Sequence, residues 1–175
     1  MTEPLALDLS DFDGGVPLAM PVIEPPVTVI AHGRPITQGS KIKGQWGMRD
    51  DNAKTLHPWR NTVQLAAEQA MAGRARITAD VNLAAVFHFD RPVGHYGTGR
   101  NAGILKDSAP RRPTGRGLGD VDKLVRAVCD SLEAGGVFVD DCQVGSLHGT
   151  EKVYVGAPGA KLDRPGVHIV VEVLR

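Results

Sequence analysis

A helix with clear ends, followed at once by a return of the chain, is the feature of this sequence that most constrains its fold. Apolar and small residues recur at helical spacing over residues 121–134, and two glycines follow directly. The face that they define consists of Leu124, Ala127, Val128, Ser131 and Leu132. The apolar run Val137-Phe138-Val139 then predicts the entry of a strand. The chain must therefore turn back, and whatever follows this run is brought toward the start of the helix.

Four carboxylates stand at the two points that this return brings together. Asp120 and Asp122 are two residues apart at the helix start, so on an extended entry both face the same way. Asp140 and Asp141 follow the strand entry. Carboxylates that meet repel one another unless a cation neutralises them, and hard oxygen ligands suit Mg²⁺ or Mn²⁺. The arrangement predicts a divalent-metal site made of these four side chains.

Each pair also has a purely structural interpretation. Aspartate is common at helix N-caps, so Asp120 or Asp122 could simply cap the helix. Adjacent aspartates after a strand, such as Asp140 and Asp141, commonly form a turn. The metal interpretation depends on the two pairs together and on the basic segment that precedes them.

The remaining patterns predict a single α+β domain with a mixed sheet and two main helices. Alternating or β-branched runs predict strands over residues 27–31, 77–89 and 166–174, and over 143–155 with an interruption near His148 and Gly149. The other helix is predicted from Pro58, as its first helical residue, to a stop at Gly73.

Two segments carry no regular period. Residues 38–48 are rich in glycine, and we predict no helix or strand there. Residues 1–26 contain repeated prolines and predict an irregular N-terminal arm ahead of a domain over residues 27–175.

The net charge is zero, but the charges are segregated. Residues 1–26 have five acidic and no basic residues, whereas residues 91–126 have eight basic and three acidic ones. Residues 91–119 also lack periodicity, which predicts a long, basic, flexible loop suited to a polyanion. The candidate phosphate contacts are Arg111, Arg112 and Arg116 on this loop, with Lys41 and Lys43 as a second patch. The alternative is a solvated loop with incidental charge.

The two cysteines, Cys129 and Cys142, form neither a disulfide framework nor a metal-binding spacing. No apolar run approaches the roughly 18 residues of a membrane-spanning helix. We therefore expect a cytoplasmic protein that has no membrane partner.

Residues 119–144 resemble the signature of the RusA Holliday junction resolvases. In that family an Asp-x-Asp helix is followed by a glycine turn, an apolar triplet and Asp-Asp-x-Gln-Val. The matching residues here are Asp120, Asp122, Leu124, Ala127, Asp130, Leu132, Gly136, Val137-Phe138-Val139, Asp140-Asp141 and Gln143-Val144. His32-Gly33-Arg34-Pro35-Ile36 is similar to the Gly-x-Pro start after the family's first strand, and a looser likeness covers residues 27–175.

The resemblance implies a small, Mg²⁺-dependent, homodimeric endonuclease, often phage-encoded, that nicks two strands of a four-way DNA junction. It implies Asp120, Asp122 and Asp141 as the catalytic metal-binding carboxylates, with Asp140 close by. Two positions depart from the pattern, because the family usually has Asn at Lys123 and a catalytic Lys at Arg126. Arginine can hold a phosphate, but it cannot donate a proton near neutral pH.

Several roles stay open at this stage. Arg126, one turn beyond Asp122, is either a catalytic phosphate clamp or the partner of Asp122 or Asp130 in an ion pair. Lys123 and Lys152 are candidate DNA contacts, although for Lys152 the pattern favours an ordinary surface lysine. Two other functions compete with the junction endonuclease: an inactive DNA-binding relative, and a Mg²⁺ enzyme that holds a nucleotide diphosphate through Asp-x-Asp, for which the chain is short.

Overall fold

Strand β4 (Val81–Phe89) lies at the centre of a five-stranded mixed sheet. It is antiparallel to β7 (Gly166–Val173) on one side and parallel to β5 (Val144–Ser146) and β6 (Glu151–Tyr154) on the other. Strand β1 (Val27–His32) extends the sheet beyond β7. The computed structural model describes residues 25–44 and 47–174. Its elements are β1 Val27–His32, β2 Lys41–Gly44, β3 Gly47–Asp50, α1 Ala53–Ala70, β4 Val81–Phe89, α2 Val121–Ala134, β5 Val144–Ser146, β6 Glu151–Tyr154 and β7 Gly166–Val173. The predicted α+β class with a mixed sheet and two helices is confirmed.

One face of the sheet forms the core with both helices. The alternation of the sequence determines this face, since Leu83, Ala85 and Phe87 of β4 are all fully buried. They pair in register with Val171, Ile169 and Val167 of β7, which are buried on the same side. Both helices add their apolar stripes to this cluster. The register of the central strands therefore follows directly from their period of two.

Helix α1 begins earlier than the sequence predicted. Its buried residues, Leu56, Trp59, Val63 and Ala67, continue the helical spacing upstream of Pro58. The carbonyl of Asn52 accepts the amides of Thr55 and Leu56, so the first turn forms before the proline is reached. The prediction that Pro58 starts the helix was wrong. The helix begins at Ala53 because burial of Leu56 favours an earlier first turn, and Pro58 lies inside the helix, where it has no amide to donate to the carbonyl four residues before it.

The glycine-rich segment contains a hairpin that the sequence analysis missed. Strands β2 and β3 pair antiparallel, with Lys41 opposite Asp50 and Gly44 opposite Gly47. Both strands have only four residues, too few for a clear alternation against a glycine background.

The other strand predictions are confirmed in outline. Strand β4 begins at Val81, and Ile77 makes only an isolated bridge to Phe138. The predicted interruption falls between β5 and β6, where Gly149 has a φ of +87°. Residues 91–119 contain short 3-10 turns but no longer element. Residues 1–24 of the predicted N-terminal arm lie outside the described residues. In the described part of the chain, no helix is long and apolar enough to cross a bilayer.

Candidate metal centre and DNA-facing surface

Helix α2 presents Asp120 and Asp122 to solvent at its N-terminus. Asp120 is the N-cap residue, with an extended backbone at φ −87° and ψ 147°, but its side chain makes no capping hydrogen bond. Its carboxylate pairs instead with the ammonium of Lys123 at 3.1 Å, and both side chains are exposed. Asp122 is exposed in the first turn. The Asp120 carboxylate therefore does not cap the helix.

The segment after β1 packs against the start of α2. Gly119 has a φ of +72°, and a Cβ atom there would lie 2.0 Å from Cγ2 of Thr37. The amide of Gln38 donates to the carbonyl of Lys123 at 3.0 Å. The side-chain amide of Asn52 donates to the carbonyl of Thr37 at 2.9 Å. The sequence analysis did not find these supporting residues, because nothing in their local pattern links them to α2.

The glycine turn returns the chain along α2 as predicted. The amide of Val137 donates to the carbonyl of Leu132, and the amide of Ile77 donates to the carbonyl of Val137. The turn Asp141–Gln143 contacts α2. The turn that contains Asp141 is therefore packed against the helix that carries Asp122.

Adjacent Asp140 and Asp141 have different surroundings. Asp140 caps the short 3-10 turn, where its carboxylate accepts the amide of Cys142 at 2.9 Å. Hydrogen bonds from the thiol and the amide of Cys142 lower the pKa of Asp140. Gln143 completes the turn by accepting the amides of Val139 and Asp140. The turn alternative thus describes Asp140 correctly, whereas the exposed Asp141 carboxylate has no partner among the described residues.

The negative charge of Asp141 affects a residue in the middle of α2. Burial, followed by the charges of Asp141 and Asp130, raises the pKa of the Cys129 thiol to about 12. Even so, within residues 25–44 and 47–174 no three His, Cys, Asp or Glu side chains lie close enough to hold a metal ion as they stand. The meeting of the two Asp pairs at one metal ion therefore stays a prediction.

Lys152 is more than a surface lysine. It lies on β6 opposite Phe87, is partly buried, and its ammonium donates to the carbonyl of Gly119 at 2.7 Å. The guanidinium of Arg112 contacts the carboxylate of Glu151 and, at 3.5 Å, the carbonyl of Lys152. Strand β6 therefore positions one lysine beside Asp120 and draws part of the basic loop toward the same place.

Arg126 is exposed on α2 and forms no ion pair with any residue in the described part of the chain. Asp130, its proposed intrahelical partner, pairs with Arg60 of α1 at 3.0 Å and so joins the two helices. The ion-pair alternative for Arg126 is not observed.

The structure describes the side chains of only some of the remaining candidate DNA contacts. Arg111 and Lys43 are exposed. The side chains of Lys41 and Arg116 lie outside what the structure describes.

The chain matches the model of a known protein family. A family model described as endodeoxyribonuclease RusA matches residues 26–169 of this chain. The match includes both helices, all four aspartates and most of the sheet. No curated protein is matched significantly by the chain.

Proposed function

Since this chain belongs to the RusA endodeoxyribonuclease family, we propose that it resolves four-way DNA junctions by metal-dependent hydrolysis of phosphodiesters. The observation that carries this proposal is the pair of exposed aspartates at the start of α2, with Lys152 held on the carbonyl of the preceding glycine. Negative ligands for a cation and a positive group for a phosphate then lie side by side.

The donor set fits a hard divalent cation. Asp122 and Asp141 are exposed and have no hydrogen bond or ion pair with a described residue, and Asp120 has only an exposed pair with Lys123. Exposed ion pairs of that kind contribute little free energy, so Asp120 can exchange its partner at small cost. Exposed aspartates can also rotate toward a cation that removes their mutual repulsion. Mg²⁺, or alternatively Mn²⁺, held by Asp120, Asp122 and Asp141 would supply charge neutralisation and a more acidic bound water.

Asp140 has a supporting role in this proposal. Its carboxylate is occupied by the amide and the thiol of Cys142, so it holds the turn that presents Asp141. We therefore assign it as a positioning residue beside the metal ligands, and we expect the Asp140→Asn change to be milder than a change at Asp141.

The cations of the site would hold the substrate. Arg126 lies one helical turn beyond Asp122. Its guanidinium has no ion pair with a described residue and can clamp a non-bridging phosphate oxygen through two hydrogen bonds. Lys152 adds a fixed positive charge next to Asp120. Further phosphate contacts would come from Arg111, Arg112, Arg116, Lys123, Lys41 and Lys43. Because resolution needs two cuts, we propose a homodimer in which each protomer cuts one strand.

One observation favours a second candidate, a weakly active or inactive DNA-binding relative. Lys123 stands where the family usually has Asn, and its ammonium lies 3.1 Å from the Asp120 carboxylate. A cation that competes for a metal ligand lowers metal affinity, so this variant of the site would need more Mg²⁺ than the usual family pattern.

The test is cleavage of a synthetic four-way junction by aspartate variants. Asp120→Asn, Asp122→Asn and Asp141→Asn should each lower metal-dependent cleavage by about 10²-fold or more, as when a key charge-stabilising group is lost. Junction binding should remain measurable, because the phosphate contacts are unchanged. Asp163→Asn is the matched control, since this side chain is 88% exposed and pairs only with Arg164. Wild-type cutting by any two of the three variants would remove the metal-site assignment.

A further inference from the structure

Residues 92–106, which we call the tip loop, expose apolar side chains that no part of the proposed active site uses. Val93 is 88% exposed, Ile104 61% and Leu105 44%. Val93 has the highest exposure among the large apolar residues in the described part of the chain. Exposed apolar groups gathered on one loop mark a contact surface more often than a chance arrangement.

The tip loop is held in one shape by its own backbone. The amide of Gly97 donates to the carbonyl of Ile104 at 2.8 Å, and the amide of Lys106 donates to the carbonyl of His95 at 2.9 Å. A Cβ atom at Gly97 would lie 2.5 Å from the carbonyl oxygen of Asn101, so the close approach requires glycine. The loop therefore presents Ile104 and Leu105 from a closed, hydrogen-bonded ring.

Its base is fixed to the sheet beside the proposed metal centre. The guanidinium of Arg91 lies 4.0 Å from the ring centroid of Tyr154 and donates to the carbonyl of Pro110. The ring of His95 meets the same tyrosine edge to face at 5.8 Å. Tyr154 is two residues beyond Lys152 on β6, a distance of about 7 Å. The loop thus projects from the end of the sheet that carries the active-site lysine.

The charge of the loop indicates what it contacts. Residues 91–106 include Arg91, Arg100 and Lys106 but no acidic residue. Two copies of such a segment would repel each other, whereas DNA would attract both. DNA-bending proteins insert apolar side chains between base steps while nearby cations hold the phosphates. A four-way junction offers base pairs with an open face where its arms meet.

We propose that the tip loop is a wedge that packs Val93, Ile104 and Leu105 against the base pairs at the branch point and unstacks them. Arg100 is exposed, forms no pair with a described residue, and holds an adjacent phosphate. The inference depends on the proposed function, because it names how that site engages its substrate. It explains why an apolar surface and a cationic segment occur together on one loop.

The experiment uses a junction that carries 2-aminopurine at the branch point, an adenine analogue whose fluorescence rises on unstacking. Binding is measured in EDTA, so that no strand is cut. The wild-type protein should raise the fluorescence at the branch point and leave a probe within an arm unchanged. The combined Val93→Ser, Ile104→Ser and Leu105→Ser variant should bind with the same salt dependence but lose the fluorescence increase. Leu65→Ser with Leu147→Ser is the matched control, since those side chains are 49% and 46% exposed elsewhere.

The possible outcomes distinguish failure of the wedge proposal from failure of the proposed function. An equal fluorescence increase in the triple variant and the wild type would overturn the wedge while cleavage still supports the nuclease. A change of molar mass by light scattering in the triple variant would make the loop a contact between copies and overturn it as well. Failure of the wild type to bind or cut any junction would overturn the proposed function and this inference together. Circular dichroism checks that all variants are folded.

Discussion

Arg126 stands where the resemblance to the RusA family implies a lysine, and chemistry can test this difference. It is exposed, its neighbour Asp130 is already paired with Arg60, and no described carboxylate pairs with it. A guanidinium remains protonated at every working pH, so it can bind a phosphate but cannot transfer a proton. Its contribution must therefore be charge and geometry.

Replacing Arg126 separates these two contributions. Arg126→Lys should keep or raise single-turnover cleavage of a junction, since the positive charge remains and proton donation becomes available. Arg126→Ala should lower the rate by about 10²-fold or more, as expected when a charge-stabilising donor is removed. Arg164→Ala, which changes an exposed arginine that pairs with Asp163, provides the control. Equal rates for the wild type and both Arg126 variants would exclude a catalytic role.

Asp140 and Asp141 show what a sequence cannot tell about neighbouring residues of one type. Both follow the same apolar triplet, yet one carboxylate is bonded to Cys142 and the other is open to solvent. The difference arises because Gln143 reaches back to the amides of Val139 and Asp140, which fixes the turn. A motif gives the residue types, and the turn decides which of them faces outward.

At the scale of elements, the start of α2 depends on how closely it approaches the segment after β1. Gly119 combines a positive φ with a Cβ position only 2.0 Å from Thr37. Gly73, which ends the turn after α1, has nearly the same φ of +75° but nothing within 4 Å. The two glycines therefore share a backbone conformation, but only Gly119 is in close contact with another residue.

Gly119→Ala should be more harmful than Gly73→Ala. Both lose about 1–2 kcal/mol for a left-handed backbone without glycine, but only Gly119→Ala adds an overlap that typically costs about 1–3 kcal/mol. The overlap should also displace Asp120 and raise the Mg²⁺ concentration needed for cleavage. Urea unfolding and Mg²⁺ titrations of activity measure the two effects. Thr37→Ser removes the methyl group that a Cβ at position 119 would overlap. The double variant Gly119→Ala with Thr37→Ser should therefore regain stability, and its failure to do so would contradict this explanation.

The sequence predicted elements well where a period was long and its ends were marked. Helix α2 has the predicted bounds because one apolar face runs its whole length and Gly135 and Gly136 end it. The start of α1 was misplaced because a proline was given more weight than the burial of Leu56. The β2–β3 hairpin was missed because four-residue strands carry too little pattern.

The candidate site could be predicted from the sequence only in part. Its aspartates stand in a motif with fixed spacing, whereas their meeting at one metal ion stays a prediction. The contacts of Thr37 and Gln38 with the helix start were not predictable. They join residues 82 and 85 positions apart in the chain through tertiary packing, and a single sequence holds no record of that packing.

For the molecule as a whole, the buried histidine of β4 links stability to pH. His88 is fully buried, and its Nε2 accepts the amides of Lys161 and Leu162 at 2.8 and 3.2 Å. An acceptor nitrogen carries no proton, so the segment before β7 is held only while the ring is neutral. The charged groups around it are His168, Glu151 and Lys161. Burial is the largest influence and lowers the pKa of His88, and burial followed by the charge of Lys161 also lowers the pKa of His168.

The free energy of unfolding should therefore be highest above about pH 6.5, where a histidine in the unfolded chain is also neutral. Below that pH the unfolded chain binds protons that folded His88 and His168 resist, so stability falls as the pH drops from about 6.5 toward the lowered pKa values. Each such proton contributes a slope of up to about 1.4 kcal/mol per pH unit. Asp140, whose pKa is also lowered, acts in a separate range below about pH 4 and does not disturb this window.

Urea unfolding between pH 5 and 8 measures the slope, and His88→Gln, which keeps an acceptor but cannot titrate, should flatten it. A wild-type protein as stable at pH 5 as at pH 8, or a His88→Gln variant with an unchanged slope, would show that the neutral ring is not what holds this segment.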